Sequence, residues 1–183
     1  MSDERAAVIA IADTQRWLER AVIGLNLCPF AKAVQQKGQI RWVLSSASEP
    51  ETLATELARE MQGLAAADAT LIDTTLLIHP KVLQDFDDYN QFLDIADALL
   101  ASLHLNGVLQ IASFHPQYRF DGTLANDIGN CSNRSPHPML QLLRESSVDR
   151  AVAAFPDAAD IYRRNIQTLR RMGWLGWRSL NNP

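Results

Sequence analysis

The order of strands and helices along the chain constrains its fold more than any other sequence feature. Three short apolar segments, residues 40–46, 74–80 and 107–116, read as strands, and helical patterns separate them. Strands joined through helices form βαβ crossovers, which place the strands parallel in one sheet. We therefore predict a single α/β domain over residues 1–183, with a small, mainly parallel three-stranded sheet wrapped by five to six helices.

The predicted helices carry apolar residues at helical spacing and recognisable end signals. Gly24 is a natural stop for the first helix, and Ser48 and Glu51 have the spacing of a capping box at the start of the second. Pro156 separates the last two helices. The predicted helices span residues 4–23, 48–64, 85–104, 136–154 and 157–172.

The composition is typical of a globular protein of the cytoplasm. Apolar residues make up 47% and charged residues 21% of the chain. The net charge of −4 argues against a dedicated nucleic-acid binder, since such proteins usually carry a surplus of basic residues. The first residues are charged rather than signal-like, and no apolar run reaches the roughly 20 residues that span a bilayer. We expect no membrane partner. Cys28 and Cys131 are expected to be thiols, although their spacing leaves a pair open.

Two predicted strands end in the dipeptide His-Pro, at His79-Pro80 and His115-Pro116. If the strands are parallel, both histidines lie at the carboxyl edge of the sheet, where open α/β folds bind ligands. His115 is followed by a polar loop and is therefore the candidate acid/base group. His79 is a weaker candidate for ligand binding, because a histidine before proline also serves simply to end a strand.

The far end of the polar loop has the features of an anion site. Ser135 is a good helix N-cap and Pro136 suits the first helical position, so a helix start is predicted here with its positive dipole end facing the loop. Arg134 can supply a forked cationic partner to the same anion, and Asn130 and Asn133 add neutral donors.

The alternative is that Arg134 pairs internally with Asp121, Asp127 or Glu145 and only fixes the loop. Asp121 and Asp127 could orient His115 or act as acid/base groups. Both also stand beside glycine-containing turns, where aspartate is an ordinary structural residue.

Cys28 is a candidate nucleophile because it precedes a predicted short helix, a setting that lowers a thiol pKa. The competing interpretation is a buried, inert cysteine in the apolar stretch "LCPF". Cys131 lies inside the polar loop and is expected to be the more exposed of the two.

A metal site is the next alternative. His79, His115 and His137, with Asp127 or Cys131, are ligands of a suitable kind, but no two of them have the short spacing of a zinc motif. The sequence therefore assigns no metal ligand, and it leaves the cofactor and the oligomeric state open.

The C-terminal segment interleaves arginine with tryptophan, which invites a nucleic-acid interpretation. Helical spacing, however, puts its arginines on a solvated side, and Trp174 and Trp177 are expected to pack against the body of the protein. The pattern therefore favours a packed C-terminal helix over a nucleic-acid site. Contact of its basic side with phosphates or with a partner is the alternative interpretation.

Three stretches of the sequence resemble the bacterial domain-of-unknown-function family DUF1415. They are "LNLCPFA" at 25–31, "SFHPQYRF" at 113–120 and "NRSPHPMLQLLRES" at 133–146. The resemblance implies that five residues belong to one site: Cys28, His115, Asn133, Arg134 and Ser135. Relatives more often have tyrosine where this chain has His137 and histidine where it has Gln141, which argues against a family role for either position here. The family brings no established activity.

The leading hypothesis is a small enzyme, with hydrolases and transferases as candidate classes, that acts on a carboxylate- or phosphate-bearing small molecule. Arg134 and the helix start at Ser135 would anchor the anion, and His115 would transfer protons. The first alternative is a non-enzymatic ligand- or partner-binding module. The second is a metal-dependent hydrolase that uses the strand-end histidines.

Overall fold

The computed structural model describes residues 2–154 and 160–180, and helices alternate with strands through most of this length. The first half contains α1 (Ser2–Trp17), its π-helical continuation (Leu18–Ile23), α2 (Ala31–Gln36), β1 (Ile40–Leu44), α3 (Pro50–Ala66) and β2 (Thr74–Ile78). The second half contains α4 (Phe86–Ser102), β3 (Leu109–Phe114), a 3-10 helix (Ile128–Asn133), β4 (Met139–Arg144), α5 (Glu145–Ala154) and α6 (Ile161–Leu180). The α/β class is confirmed.

The sheet has four strands and is mixed, so the prediction of three mainly parallel strands was wrong. Its strand order is β1-β2-β4-β3. β1 pairs with β2 in parallel, whereas β4 is antiparallel to both β2 and β3. Since β2 and β3 are each antiparallel to β4, they run in the same direction as one another. The three predicted strands are therefore co-directional, and β4 is inserted between two of them.

The helix predicted to start at Ser135 and Pro136 does not form. Residues 139–144 are a strand, and the helix in this region begins only at Glu145. The Ser135 hydroxyl donates to the His137 carbonyl oxygen at 2.6 Å instead of capping a helix. The helix dipole predicted at Ser135 is therefore absent, and an anion site at Arg134 has to be explained without it.

Helices cover both faces of the sheet, and side chains alternate between the two cores. On one face, Leu77 and Leu140 pack with α3 and α4 in what we call the α3/α4 core. On the other face, Ile78, Met139 and Leu169 pack with α1 and α6 in the α1/α6 core. β2 is buried along its whole length, as expected for a strand covered on both sides.

The starts of α4 and α3 differ in how far they match the predicted end signals. The helix predicted over 85–104 is confirmed as α4, where the Asp85 side chain accepts hydrogen bonds from the backbone N–H groups of Asp87 and Asp88. The predicted capping box of Ser48 is absent, because α3 begins at Pro50 and its N-cap, Glu49, makes no side-chain cap bond.

The C-terminal helix α6 is broken at one residue, Gly173, whose φ and ψ are 68° and 174°. This combination is essentially restricted to glycine. α6 is also longer than the helix predicted over 157–172, and the predicted break at Pro156 lies outside the described residues. No helix in the described ranges is long and apolar enough to cross a membrane.

Candidate functional site

Three His-Pro dipeptides meet at one edge of the sheet. β2 and β3 end there with His79 and His115, and β4 begins there after His137-Pro138. Both strand-end histidines are fully buried, and their rings lie 5.8 and 5.0 Å from the ring of Tyr89, centroid to centroid. The prediction that His79 and His115 lie at the same edge is therefore confirmed.

His115 is engaged at both ring nitrogens. Its Nδ1 accepts a hydrogen bond from the Gln117 backbone N–H at 3.0 Å, so Nε2 carries the proton and donates to the Leu83 carbonyl oxygen at 3.2 Å. Burial lowers the pKa of His115 and favours this neutral form. An acid/base role would require the ring to give up one of these two bonds, and that role stays a prediction.

His79 stabilises the turn that follows β2. Its Nδ1 faces the Val82 carbonyl oxygen at 3.1 Å and must therefore be the protonated nitrogen. Its Nε2 is buried and has no hydrogen-bond partner within residues 2–154 and 160–180. Burial lowers the pKa of His79 to about 4.

The amides of the polar loop hold the loop together. Buried Asn130 accepts from the Phe120 N–H and the Thr123 hydroxyl, and its Nδ2 donates to the Leu124 carbonyl oxygen. Asn133 donates to the Ser113 carbonyl oxygen at 3.1 Å and so ties the loop to β3. These bonds account for the structural role of both amides, and their roles in ligand binding stay predictions.

The two loop aspartates occupy turn positions. The Asp127 carboxylate accepts from the Gly129 N–H at 2.7 Å and caps the 3-10 helix. Asp121 is exposed and precedes Gly122, whose φ is 71°. No hydrogen bond joins either carboxylate to His115 within the described residues, so the structure supplies the turn role for both.

Arg134 is half-buried and is held by backbone oxygens. Its Nε donates to the Tyr118 carbonyl oxygen at 3.1 Å and its Nη2 to the Ala125 carbonyl oxygen at 2.6 Å. Its guanidinium carbon lies 5.6 Å from the centroid of the Trp174 ring. The predicted alternative, an internal ion pair with Asp121, Asp127 or Glu145, is not formed in the part of the chain that the structure describes.

Two clefts share Arg134 and Pro116 in their walls. The larger, which we call the arginine–tryptophan cleft, has a volume of about 470 Å³. Its other lining residues are Ser135, Pro136, Trp174, Trp177 and Arg178. The smaller, the Asp85 cleft, has a volume of about 340 Å³ and is also lined by Asp85, Phe86, Asp87, Gln117, Arg119 and Ala125. Both volumes fall in the usual range of small-molecule sites.

Sequence reasoning missed the contribution of α6 to this site. The break at Gly173 is followed by Trp174, Trp177 and Arg178, which share one helical face at spacings of three and four residues. The predicted packing of Trp174 and Trp177 against the body of the protein is confirmed, since both contact the α1/α6 core. The sequence pattern predicts a packed apolar side and a solvated basic side, but not a cleft between them. Arg163, Arg164, Arg170 and Arg171 are exposed, in agreement with that division. Arg178 is also exposed, but it lines the cleft.

The two cysteines differ in exposure in the opposite sense to that expected. Cys131 is fully buried, and burial raises its pKa to about 11, whereas Cys28 is half-buried. Both are thiols. Cys28 packs against the α1/α6 core, while the His115 ring contacts Phe86 and Tyr89 of α4 on the other face of the sheet. This arrangement gives no support to a Cys28–His115 pair.

The strand-end histidines do not gather further ligands around them. Across residues 2–154 and 160–180, no group of three histidine, cysteine or carboxylate side chains is placed to hold a metal ion. His137 instead lies 3.6 Å from the Asp13 carboxylate, measured from Nε2 to Oδ2. The metal-dependent hydrolase therefore finds no ligand set in this part of the chain.

The fold defines an α/β protein with a four-stranded mixed sheet. At one edge of this sheet, a polar loop held by hydrogen bonds lies beside an arginine-lined cleft. The chain belongs to DUF1415, a family described as protein of unknown function, whose family model matches residues 9–179. The resemblance seen in the three sequence motifs is thereby confirmed. Searches of the curated proteins and of the solved structures found no match.

Proposed function

We propose that this protein binds a carboxylate- or phosphate-bearing small molecule in the arginine–tryptophan cleft, with Arg134 and Arg178 as the cationic anchors. The observation that carries the proposal is the state of Arg134: a half-buried guanidinium in the cleft wall that has no carboxylate partner among the described residues. A partly desolvated cation without a counter-charge favours an anionic ligand.

The hydrogen-bonding capacity of Arg134 supports the same assignment. A guanidinium has five N–H donors, and the bonds to Tyr118 and Ala125 use two of them, with a further hydrogen bond to the Cys131 side chain. These two bonds hold the side chain in one orientation, so little side-chain entropy would be lost when a ligand binds. The polar loop thus acts as a support for a preoriented cation.

The charges around the two clefts favour the larger one for an anion. The lining of the arginine–tryptophan cleft contains Arg134 and Arg178 and no acidic residue. The Asp85 cleft contains two carboxylates, and its Arg119 already lies 3.4 Å from Asp87. An anion entering the Asp85 cleft would meet repulsion that the larger cleft does not present.

Of the functions considered, a ligand-binding protein is the one that the geometry supports best. An enzyme acting at the same cleft would use His115 as acid/base group, and both ring nitrogens of His115 are already bonded to backbone groups. The enzymatic version therefore requires the His115 ring to release its bond to Leu83 or to Gln117, whereas the binding version requires neither change.

The proposal is tested by native mass spectrometry of freshly purified protein, followed by calorimetric titration with phenyl phosphate, cyclohexyl phosphate, benzoate and cyclohexanecarboxylate. Arg178→Gln removes one anchor without breaking any hydrogen bond or ion pair of the described structure, and should weaken binding roughly tenfold or more at unchanged stability. Arg170→Gln, the same change on an exposed part of α6 away from the cleft, is the matched control.

Two results would overturn the proposal. One is the absence of any co-purified anion together with no binding of the four compounds at millimolar concentration. The other is equal loss of binding in the Arg170 and Arg178 variants, which would indicate a general charge effect.

A further inference from the structure

We infer that the ligand of the arginine–tryptophan cleft is an aromatic anion: a flat ring or heterocycle that carries a carboxylate or phosphate group. This inference rests on the proposed function, since it concerns the same cleft, and it adds the chemical class of the group attached to the anion. It is carried by the two tryptophans that line the cleft together with the two arginines.

The tryptophans reach the cleft through a specific backbone arrangement. Gly173 takes a conformation that other residues rarely adopt, and the helix resumes after it with Trp174, Trp177 and Arg178 along the cleft. On the same turn, Leu175 is 81% exposed and takes no part in the lining. After the break, Trp174 rather than Leu175 lies against Arg134, while Trp177 is buried in the α1/α6 core at the floor of the cleft.

The distance between Arg134 and Trp174 ties the two chemistries together. Because the guanidinium carbon is 5.6 Å from the centre of the indole ring, an anion bound to Arg134 has its attached group close to Trp174. An aromatic group there gains edge or stacking contacts with the indole in addition to area burial, whereas a saturated ring of similar size gains only the area.

The dimensions of the cleft favour a small molecule over a nucleic-acid strand. A volume of about 470 Å³ suits one ring system with its anionic group. Arginine combined with tryptophan also occurs in sites for single-stranded nucleic acid, but those sites follow the backbone along a basic groove, and this chain has a net charge of −4.

The test compares compounds that differ only in aromaticity. Phenyl phosphate is titrated against cyclohexyl phosphate, and benzoate against cyclohexanecarboxylate, with the full-length protein in a calorimeter. We expect the aromatic member of each pair to bind roughly twofold to tenfold more tightly. Trp174→Leu should bring this ratio close to one, Trp174→Phe should keep most of it, and Arg178→Gln should weaken both members of a pair by the same factor.

The outcomes separate the two proposals. Equal affinities within each pair, still dependent on Arg178, would overturn the aromatic assignment and leave anion binding intact. Failure of all four compounds to bind, together with the absence of any co-purified anion in native mass spectrometry, would overturn anion binding itself. A single-stranded oligothymidylate that binds much more tightly than phenyl phosphate, in a strongly salt-dependent manner, would replace the small aromatic anion by a nucleic acid.

Discussion

At the scale of single residues, the polar loop is held by buried hydrogen bonds, and Asn130 makes the largest number of them. Its side chain is fully buried and joins the backbone at Phe120 and Leu124 and the hydroxyl of Thr123. A buried amide of this kind fixes the course of the loop, because it joins three loop residues and is the hydrogen-bond acceptor for the Phe120 N–H.

We predict that Asn130→Ala lowers the free energy of unfolding by about 1–3 kcal/mol, since it removes three bonds and leaves the Phe120 N–H without its hydrogen-bond acceptor. Urea denaturation measures this change. Asn126→Ala, an exposed asparagine of the same loop, is the matched control and should shift stability by less than about 0.5 kcal/mol. Equal stability of the two variants would show that Asn130 does not hold the loop.

His79 couples stability to pH. Its pKa falls from 6.5 to about 4 on folding, mainly because it is buried. Below pH 6.5 the unfolded chain therefore takes up a proton that the folded chain refuses. The associated stability is fully present above pH 6.5 and is lost as the pH falls toward 4, by about 3 kcal/mol in all.

Replacing His79 by phenylalanine should flatten this dependence. His79→Phe keeps a ring beside Tyr89 but cannot titrate, so the drop in unfolding free energy between pH 7 and pH 5 should shrink by about 2 kcal/mol. His104→Asn removes an exposed histidine whose φ is 57°, a conformation that asparagine tolerates, and is the matched control: the part of the drop that His79→Phe removes should persist in it. Identical pH profiles of wild type and His79→Phe would refute the assignment.

The position of Arg134 near the site could be predicted from the sequence, but the contacts that hold its side chain could not. Its place next to a strand end and a polar loop follows from local order, and it lines two clefts. Its contacts with Tyr118, Ala125 and Trp174 depend on how a loop folds back and where α6 docks. Such long-range contacts leave no local pattern to read.

At the scale of elements, the break in α6 decides which side chains reach the cleft. We predict that Gly173→Ala costs about 1–3 kcal/mol, because an L-residue is strained at φ 68° and ψ 174°. Gly63→Ala is the opposite control: Gly63 lies inside α3, an added Cβ would meet no atom within 4 Å, and stability should rise by up to about 1 kcal/mol.

Equilibrium denaturation distinguishes the two glycines, and calorimetry with phenyl phosphate adds a second reading. If the break positions the cleft face of α6, Gly173→Ala should also weaken phenyl phosphate binding while Gly63→Ala leaves it unchanged. A Gly173→Ala protein as stable as wild type would contradict the strain on which this expectation rests.

The strands that follow full helices could be predicted from periodicity, whereas β4 could not. Its residues Met139, Leu140, Leu142 and Leu143 fit one side of a helix as well as they fit a strand that is buried on both faces. Ser135-Pro136 before them is typical of a helix start, and no turn residue separates the strand from α5. A strand covered by helices on both faces lacks the alternation of apolar and polar residues that marks a strand with one solvated face. The local pattern of β4 therefore favours a helix.

At the scale of the whole molecule, the sheet depends on its last strand. β4 supplies every inter-strand bond of β3 and all pairing on one side of β2. We predict that a chain ending at residue 138 does not unfold cooperatively, since β3 then has no neighbour and both cores lose their β4 side chains. Circular dichroism with urea denaturation measures this.

A chain ending at residue 180 is the control for that truncation. It keeps every described element and should unfold in one transition close to that of the full chain. Cooperative unfolding of the chain ending at 138 would show that the first three strands form a stable unit without β4.

The central place of β4 also determines when the sheet can form during translation. As the polypeptide leaves the ribosome amino end first, β2 and β3 emerge well before the strand that joins them. Until residue 144 has cleared the exit tunnel, β3 has no pairing partner and β2 is unpaired on one side, so the nascent chain exposes unpaired strand edges. Slow translation of the segment between β3 and β4 would lengthen the time for which β2 and β3 lack the strand that joins them.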